Sequence, residues 1–316
     1  MSSTIRVKLG PPHVLLKGLV WFLGITTLLS ALTNNQICRH VRLHTPHHPD
    51  GHRLTDEKVL SIRRNSLRRV QDSNTELRVR MDDGHGPLIK YVSVDANVLA
   101  AFRSTDEILS MLPPGNWNKA YIFEGKDKQP GVTVKVERLL AVEGAWSPLN
   151  IDYFDLIPIR SLKTESAVQG TSESDFIQVV SHPLFSVPIV MKIASFPNTH
   201  NIVGIEAEIV AYRLLEGAGV APRYLGQVTE NGRVIGFLTE YIANGRTAQY
   251  SDRKACLASL SKVHSRGIVH RDPHLGNCII GKNGEAYIVD YETSRTTNDY
   301  VAFQVDYDLM WQSRGG

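Results

Sequence analysis

Cysteine is scarce in this chain of 316 residues. Cys38, Cys256 and Cys278 are too few and too scattered for a disulfide framework, and they predict a protein of a reducing, cytoplasmic compartment. Cys278 falls inside an apolar run and reads as a buried structural thiol. An excess of one charge sign is missing as well. The formal net charge of +3 supplies no strong field, so no nucleic-acid partner is expected. Long apolar runs are nearly absent. Residues 14–33 are the candidate, uncharged from Gly18 to Thr33 and preceded by Arg6, Lys8 and Lys17. The run is short for a span, which wants about 20 apolar residues, and Thr26, Thr27, Ser30 and Thr33 dilute it. It can be read as a signal anchor that associates the protein with a membrane, as a packed helix, or as an artefact of the gene start. Arg39 and Arg42 follow closely, so the charge rule gives no orientation.

Zinc spacing is lacking too. His40, His44, His47, His48 and His52 lie near Cys38, but their intervals fit no zinc module, and Pro46, Pro49 and Gly51 make the stretch a loop. The basic run 63–69 reads as a solvated linker helix or a targeting patch. Within it, Ser66 follows Arg63-Arg64-Asn65 and precedes Leu67, a context suited to a basophilic kinase. Residues 1–85 are therefore taken as an N-terminal region dispensable for the fold. Residues 86–156 form a β-rich extension, with strands at 88–94, 117–123 and 132–136 and a short helix at 106–111. No chemistry is visible there, and Trp117, Tyr121 and Trp146 read as core. Residues 157–316 form the third region.

The chemistry gathers in 268–292. An apolar entry, Ile268-Val269, leads into the polar loop His270-Arg271-Asp272-Pro273-His274-Leu275-Gly276-Asn277. An apolar exit follows, then a turn at Asn283-Gly284 and the strand Ala286-Tyr287-Ile288-Val289, which ends in Asp290-Tyr291-Glu292. Two carboxylates, Asp272 and Asp290, and the amide of Asn277 can orient a hydroxyl and hold Mg²⁺ against a triphosphate. Upstream, residues 176–180 and 187–194 read as strands, and Lys192 stands among apolar neighbours in the second. A buried ammonium there needs a partner. The next helix, 201–215, carries Ile205, Ile209 and Tyr212 on one face. Glu208 shares that face, whereas Glu206 points about 160° away at 3.6 residues per turn. Glu208 is thus chosen as partner, with Glu206 in reserve. Strands at 224–229 and 233–239 then lead to Glu240-Tyr241-Ile242, and residues 253–266 form an amphipathic helix.

This pattern resembles the catalytic and metal-binding loops of the protein-kinase-like phosphotransferases. His270-Arg271-Asp272 is similar to a eukaryotic protein kinase. Gly276-Asn277 and Asp290-Tyr291-Glu292 are more similar to the aminoglycoside and choline phosphotransferase branch. The whole resembles a group of short fungal kinase-like proteins. The resemblance covers about residues 88–316 and is most specific over 256–292. It implies an α+β, bilobal fold with a β-rich amino lobe and a helical carboxy lobe, using ATP and Mg²⁺. Asp272 would accept the hydroxyl proton, and Asn277 and Asp290 would ligate the metal. Lys192, held by Glu208, would meet the α- and β-phosphates. Glu240 to Ile242 would present backbone to adenine. His274 would replace the loop lysine of Ser/Thr kinases, and His264 and His270 would be scaffold residues bonded to nearby backbone. Two features depart from the family. Residues 166–172 offer one glycine where the nucleotide cradle uses several. The chain also stops where a kinase would continue into an activation segment, which leaves Leu309, Met310 and Trp311 for a protein partner or a second copy to cover. The expected activity is ATP-dependent phosphoryl transfer to a hydroxyl of a protein Ser/Thr or a small molecule. The alternatives are a nucleotide-binding pseudokinase or scaffold and, more remotely, a membrane-anchored adaptor working through residues 1–85.

Overall fold

The computed structural model describes residues 39–42, 59–62, 68–69, 74–82, 87–162, 176–194 and 196–313. The apolar run 14–33, the histidines from His44 to His52, Ser66 and residues 166–172 lie outside the described residues. The chain is a mixed α+β protein. It divides into two compact units, residues 1–138 with 168–172 and residues 139–167 with 173–316.

In the first unit, β1 (Arg39–Arg42) pairs antiparallel with β2 (Val59–Ile62). A five-stranded sheet is formed by β3 (Arg68–Arg69), β4 (Asn74–Asp82), β5 (Pro87–Asp95), β6 (Lys119–Glu124) and β7 (Pro130–Lys135), in that spatial order. β5 and β6 run parallel, so the chain must cross over between them, and α1 (Ala96–Leu99) and α2 (Thr105–Ser110) lie in that crossover. Side-chain caps start both helices: Asp95 accepts from the Asn97 amide and Ser104 from the Glu107 amide. Period-two alternation sends Leu77, Val79, Val92, Val94, Ile122 and Val132 to one face, where they pack with Ile108, Leu109 and Trp117. Tyr121 points to the other face and is 37% exposed, so it is not the core residue expected. β4 pairs with β5 along all nine of its residues, and a cut at 85 would strip a full strand from this sheet. The division of the chain at 138/139 likewise differs from the expected 156/157, because β8 (Asn150–Asp152) joins the sheet of the second unit.

That second sheet has six strands in the order β8, β12 (Tyr224–Glu230), β13 (Arg233–Glu240), β11 (Ile189–Ile193), β10 (Ile177–Ser181) and β9 (Ile157–Ser161). Its pairs are antiparallel except β8 with β12. Between β11 and β12 the chain forms α3 (Thr199–Leu214), capped by Asn198, which accepts from the Asn201 amide. Gly236 in β13 is required by its neighbour strand, since an added Cβ would fall 2.1 Å from the Lys192 carbonyl oxygen. Beyond the sheet come β14 (Arg246–Thr247), α4 (Arg253–Ser265), β15 (Ile268–Val269), β16 (Cys278–Ile280), β17 (Ala286–Ile288), β18 (Arg295–Thr296) and α5 (Tyr300–Gln312). Ile205, Ile209 and Tyr212 of α3 share one buried cluster with Leu260, Val263, Leu275, Ile288, Tyr291 and Met310. α5 begins at Tyr300, capped by Asp299, and leaves Leu309 and Trp311 largely exposed while Met310 is buried.

Cys256 and Cys278 form a disulfide. This corrects the reading of Cys278 as a free buried thiol and removes the scarcity of cysteine as an argument for a reducing compartment. The residues are 22 apart in sequence, and only the packing of α4 on β16 and β17 brings them together. The expectation of a cytoplasmic protein associated with a membrane is also corrected. Among the described residues no helix is long and apolar enough to cross a membrane, and residues 14–33 lie outside them. Closing a loop of this length restricts the unfolded chain by about 3 kcal/mol. Denaturant unfolding with reductant should therefore show a loss of roughly that size. An unchanged midpoint, with both thiols shown free by mass spectrometry, would contradict it.

Candidate functional site

Lys192 comes from a strand whose alternate residues Ile189, Met191 and Ile193 are buried on the opposite face. Its ammonium is ion-paired with Glu208 of α3, lies 2.5 Å from Asp290 Oδ1 and 3.5 Å from Glu292 Oε2. One oxygen of each of Glu208, Asp290 and Glu292 lies within 4.8 Å of the others. Helix geometry explains Glu208: it projects with Ile205, Ile209 and Tyr212 from the buried face, and its side chain is 1% exposed. Glu206, on the other side, accepts instead from the Glu143 amide at 2.7 Å.

Burial works against the charge of Lys192, but the three carboxylates outweigh it and hold the ammonium protonated well above the ordinary lysine range. Burial pushes Glu208 up to about 7, against the pull of Lys192. Asp290 is less buried. Burial raises its pKa, the charge and hydrogen bond of Lys192 together with His270 and His274 lower it, and the net shift is downward. The carboxylate at the end of the strand therefore stays ionised at neutral pH and is the harder donor for a divalent cation.

The loop carrying Asp272 is pinned from both sides. His270 is fully buried, and its Nε2 lies 3.0 Å from the Val289 carbonyl oxygen. Burial lowers the His270 pKa and keeps the ring neutral. The His270 and Arg271 amides donate to the two oxygens of Asp306, at 2.6 and 2.9 Å. Arg271 and Asp290 both have positive φ, 71° and 69°, conformations that non-glycine residues hold only when surrounding bonds impose them. Asn277 Nδ2 donates to the Asp272 carbonyl oxygen at 3.1 Å, which leaves its Oδ1 as the acceptor atom. The Asn277 carbonyl accepts from the Val289 amide at 3.0 Å, so Asn277 is bonded to the strand that ends in Asp290. His274 Nδ1 accepts from the Gly276 amide, and its Nε2 lies 3.8 Å from Asp272 Oδ2. The Asp272 carboxylate itself is exposed.

The structure thus brings Lys192, Glu208 and Asp290 into one cluster, and Asp272, His274 and Asn277 into one loop. Glu240 and Ile242 stand apart from both. Glu240 pairs with Ile189 across the sheet, three residues along β13 from Phe237, which pairs with Lys192. Ile242 accepts from the Gly245 amide in the turn beyond. An apolar cavity of about 310 Å³, lined by Val203, Glu206, Val210, Ile268 and Thr296, opens on the other side of α3 from Glu208.

Two residues escaped sequence reasoning. Glu292 was seen as a motif residue but not as a neighbour of Lys192. Asp306 was missed as a partner of the loop. It is fully buried, and besides the two amides it meets His264 Nε2 at 3.0 Å. His264 accordingly bonds a side chain, not the nearby backbone expected of it. The available signal was an aspartate inside the helix four residues before Met310, on the face that packs inward.

Comparison with known proteins gives partial likenesses. The chain is 31% identical over 102 residues to the Saccharomyces cerevisiae protein named fatty acyl-CoA synthetase and RNA processing-associated kinase 1, which covers 28% of this chain and 12% of that protein. It is 30% identical over 81 residues to the serine/threonine-protein kinase KIN4 of the same yeast, covering 22% of this chain and 10% of that protein. The chain therefore spans about a tenth of the length of these relatives. No family model matches it. Over part of its length, the chain is similar to kinases.

Proposed function

We propose that the second unit binds Mg-ATP in the manner of a kinase-like, two-lobed domain and transfers its γ-phosphoryl group to a hydroxyl acceptor. The observation that carries this reading is the contact of Lys192 with both Glu208 and Asp290, from a strand, a helix and a loop 98 residues apart in sequence at the widest. Structural ion pairs rarely spend a buried lysine on three carboxylates, since desolvation is costly.

The donors present suit Mg²⁺, which takes hard oxygen ligands. Asp290 offers an ionised carboxylate and Asn277 an amide oxygen. Glu292 is the further carboxylate within reach of that cluster. Bound there, the ion would neutralise phosphate charge. The chain's own residues do the rest. Lys192, oriented by Glu208, binds the α- and β-phosphates. Asp272 receives the proton of the acceptor hydroxyl. His274 donates from Nε2 near the transferring group. No covalent intermediate is needed, because positioning and charge neutralisation suffice.

Calorimetric titration of the full chain with ATP, with and without Mg²⁺, tests the reading directly. Saturable Mg-dependent binding and label transfer from γ-labelled ATP to a hydroxyl compound or protein are expected. Binding without turnover towards any acceptor or water would establish the scaffold alternative, and absence of binding would overturn the site assignment.

A further inference from the structure

Residues 139–149 belong to no helix or strand, yet they are held at every few positions. The Leu140 carbonyl accepts from Arg233 Nη1 at 2.6 Å. The Val142 amide donates to the Val234 carbonyl at 2.9 Å, and the Val142 side chain is buried in the cluster that contains the inward face of α3. The Glu143 amide donates to Glu206 Oε1 on α3. Trp146 stacks on Tyr224, with ring centroids 5.0 Å apart. The Leu149 carbonyl accepts from the Gln227 amide.

Two of these anchors lead to the Lys192 cluster. Glu206 and Glu208 lie on opposite sides of α3, so the strap grips the helix on the face turned away from Lys192. From Trp146 a series of rings runs the other way. Tyr224 stacks on Phe237 at 5.9 Å, Phe237 meets Tyr212 at 5.3 Å, and Tyr212 meets Tyr291 edge-on at 5.7 Å. Tyr212 is one helical turn beyond Glu208, and Tyr291 follows Asp290. A rotation or outward shift of α3 would separate Glu208 from Lys192, and both strap anchors oppose it.

We infer that residues 139–149 form a positioning strap for the Lys192–Glu208 pair, with Glu206 and Trp146 as the positioning residues that act through α3. The inference rests on the nucleotide reading above, in which that pair meets phosphate. Loss of one hydrogen bond or one ring contact of this kind is worth about a five- to tenfold change in an equilibrium.

The experiment compares Glu206→Ala, Glu206→Gln, Trp146→Ala and Trp146→Phe with wild type in the full chain. Affinities for Mg-ATP and for adenosine are measured, together with hydrogen exchange along α3 and α4. The two alanine variants should bind Mg-ATP about five- to tenfold more weakly, with adenosine affinity within about twofold of wild type. Gln, which keeps the accepting oxygen, and Phe, which keeps a stacking ring, should return to within about twofold. Exchange should quicken in α3 and not in α4. Equal losses for adenosine and Mg-ATP, or unchanged α3 exchange in Glu206→Ala, would overturn the strap. If wild type binds no nucleotide, the nucleotide reading fails by itself, and α3 exchange still decides whether the strap restrains the helix. Should Trp146→Ala fail to fold, the Glu206 variants carry the test.

Discussion

Asp272→Asn should reduce phosphoryl transfer by about 10²–10⁴-fold while Mg-ATP affinity stays within about twofold of wild type. The Asp272 side chain is 58% exposed, with His274 Nε2 3.8 Å from its Oδ2, so the substitution removes a proton acceptor without emptying a buried site. The backbone carbonyl that receives Asn277 Nδ2 is unaffected. Asp290→Asn should fail in a different way. Asp290 contacts Lys192 and is the ionised donor assigned to the metal, so binding itself should weaken, and raised Mg²⁺ should restore part of it. Lys192→Met should cost transfer more than binding if the ammonium chiefly orients phosphate. Single-turnover transfer measured beside calorimetry separates the three variants. An equal loss of binding in Asp272→Asn and Asp290→Asn would deny them separate roles.

Asp306→Ala should be among the most destabilising single changes in the second unit, at about 3–5 kcal/mol. Its two oxygens take the His270 and Arg271 amides and His264 Nε2, the two histidine contacts being buried and the Arg271 contact partly so. Truncation strands these donors, and each buried orphan costs about 1–3 kcal/mol. His264 would also lose the partner that sets it between Phe303 and Tyr307, whose rings lie 4.7 and 5.0 Å away. Because Arg271 keeps its positive φ only under these bonds, Asp272 would lose its position along with the stability. Asp306→Asn keeps the shape and one accepting oxygen and should cost less than half as much. Urea unfolding of both variants checks the order. A loss under about 1 kcal/mol for Asp306→Ala would show that the loop is held by other means.

Local regularities were legible in the chain itself. Strand alternation placed Lys192 opposite the buried Ile189, Met191 and Ile193, and helical rotation separated Glu208 from Glu206. Both are periodic properties of neighbouring residues, and neither needs knowledge of what packs against them. The loop 270–277 and the strand before Asp290 could be read because turn residues and apolar runs delimit them. β4 was overlooked, although Leu77, Val79 and Met81 alternate, because Arg78, Arg80 and the basic run before it resemble a solvated linker.

What no local pattern announces is which distant groups meet. Asp306 reaches His270 across 36 residues, Glu292 joins Lys192 across 100, and Cys256 finds Cys278 only when α4 lies on β16. By itself the sequence determined the elements, the inward faces and the residue types able to bind phosphate and metal, because those follow from backbone periodicity and side-chain chemistry. Only the tertiary structure decided that one lysine serves three carboxylates, that a helical aspartate holds the loop, and that Glu206 binds a strap. The physical reason is that such contacts depend on where whole elements pack, and packing is set by the sum of the core, not by the residues that happen to touch.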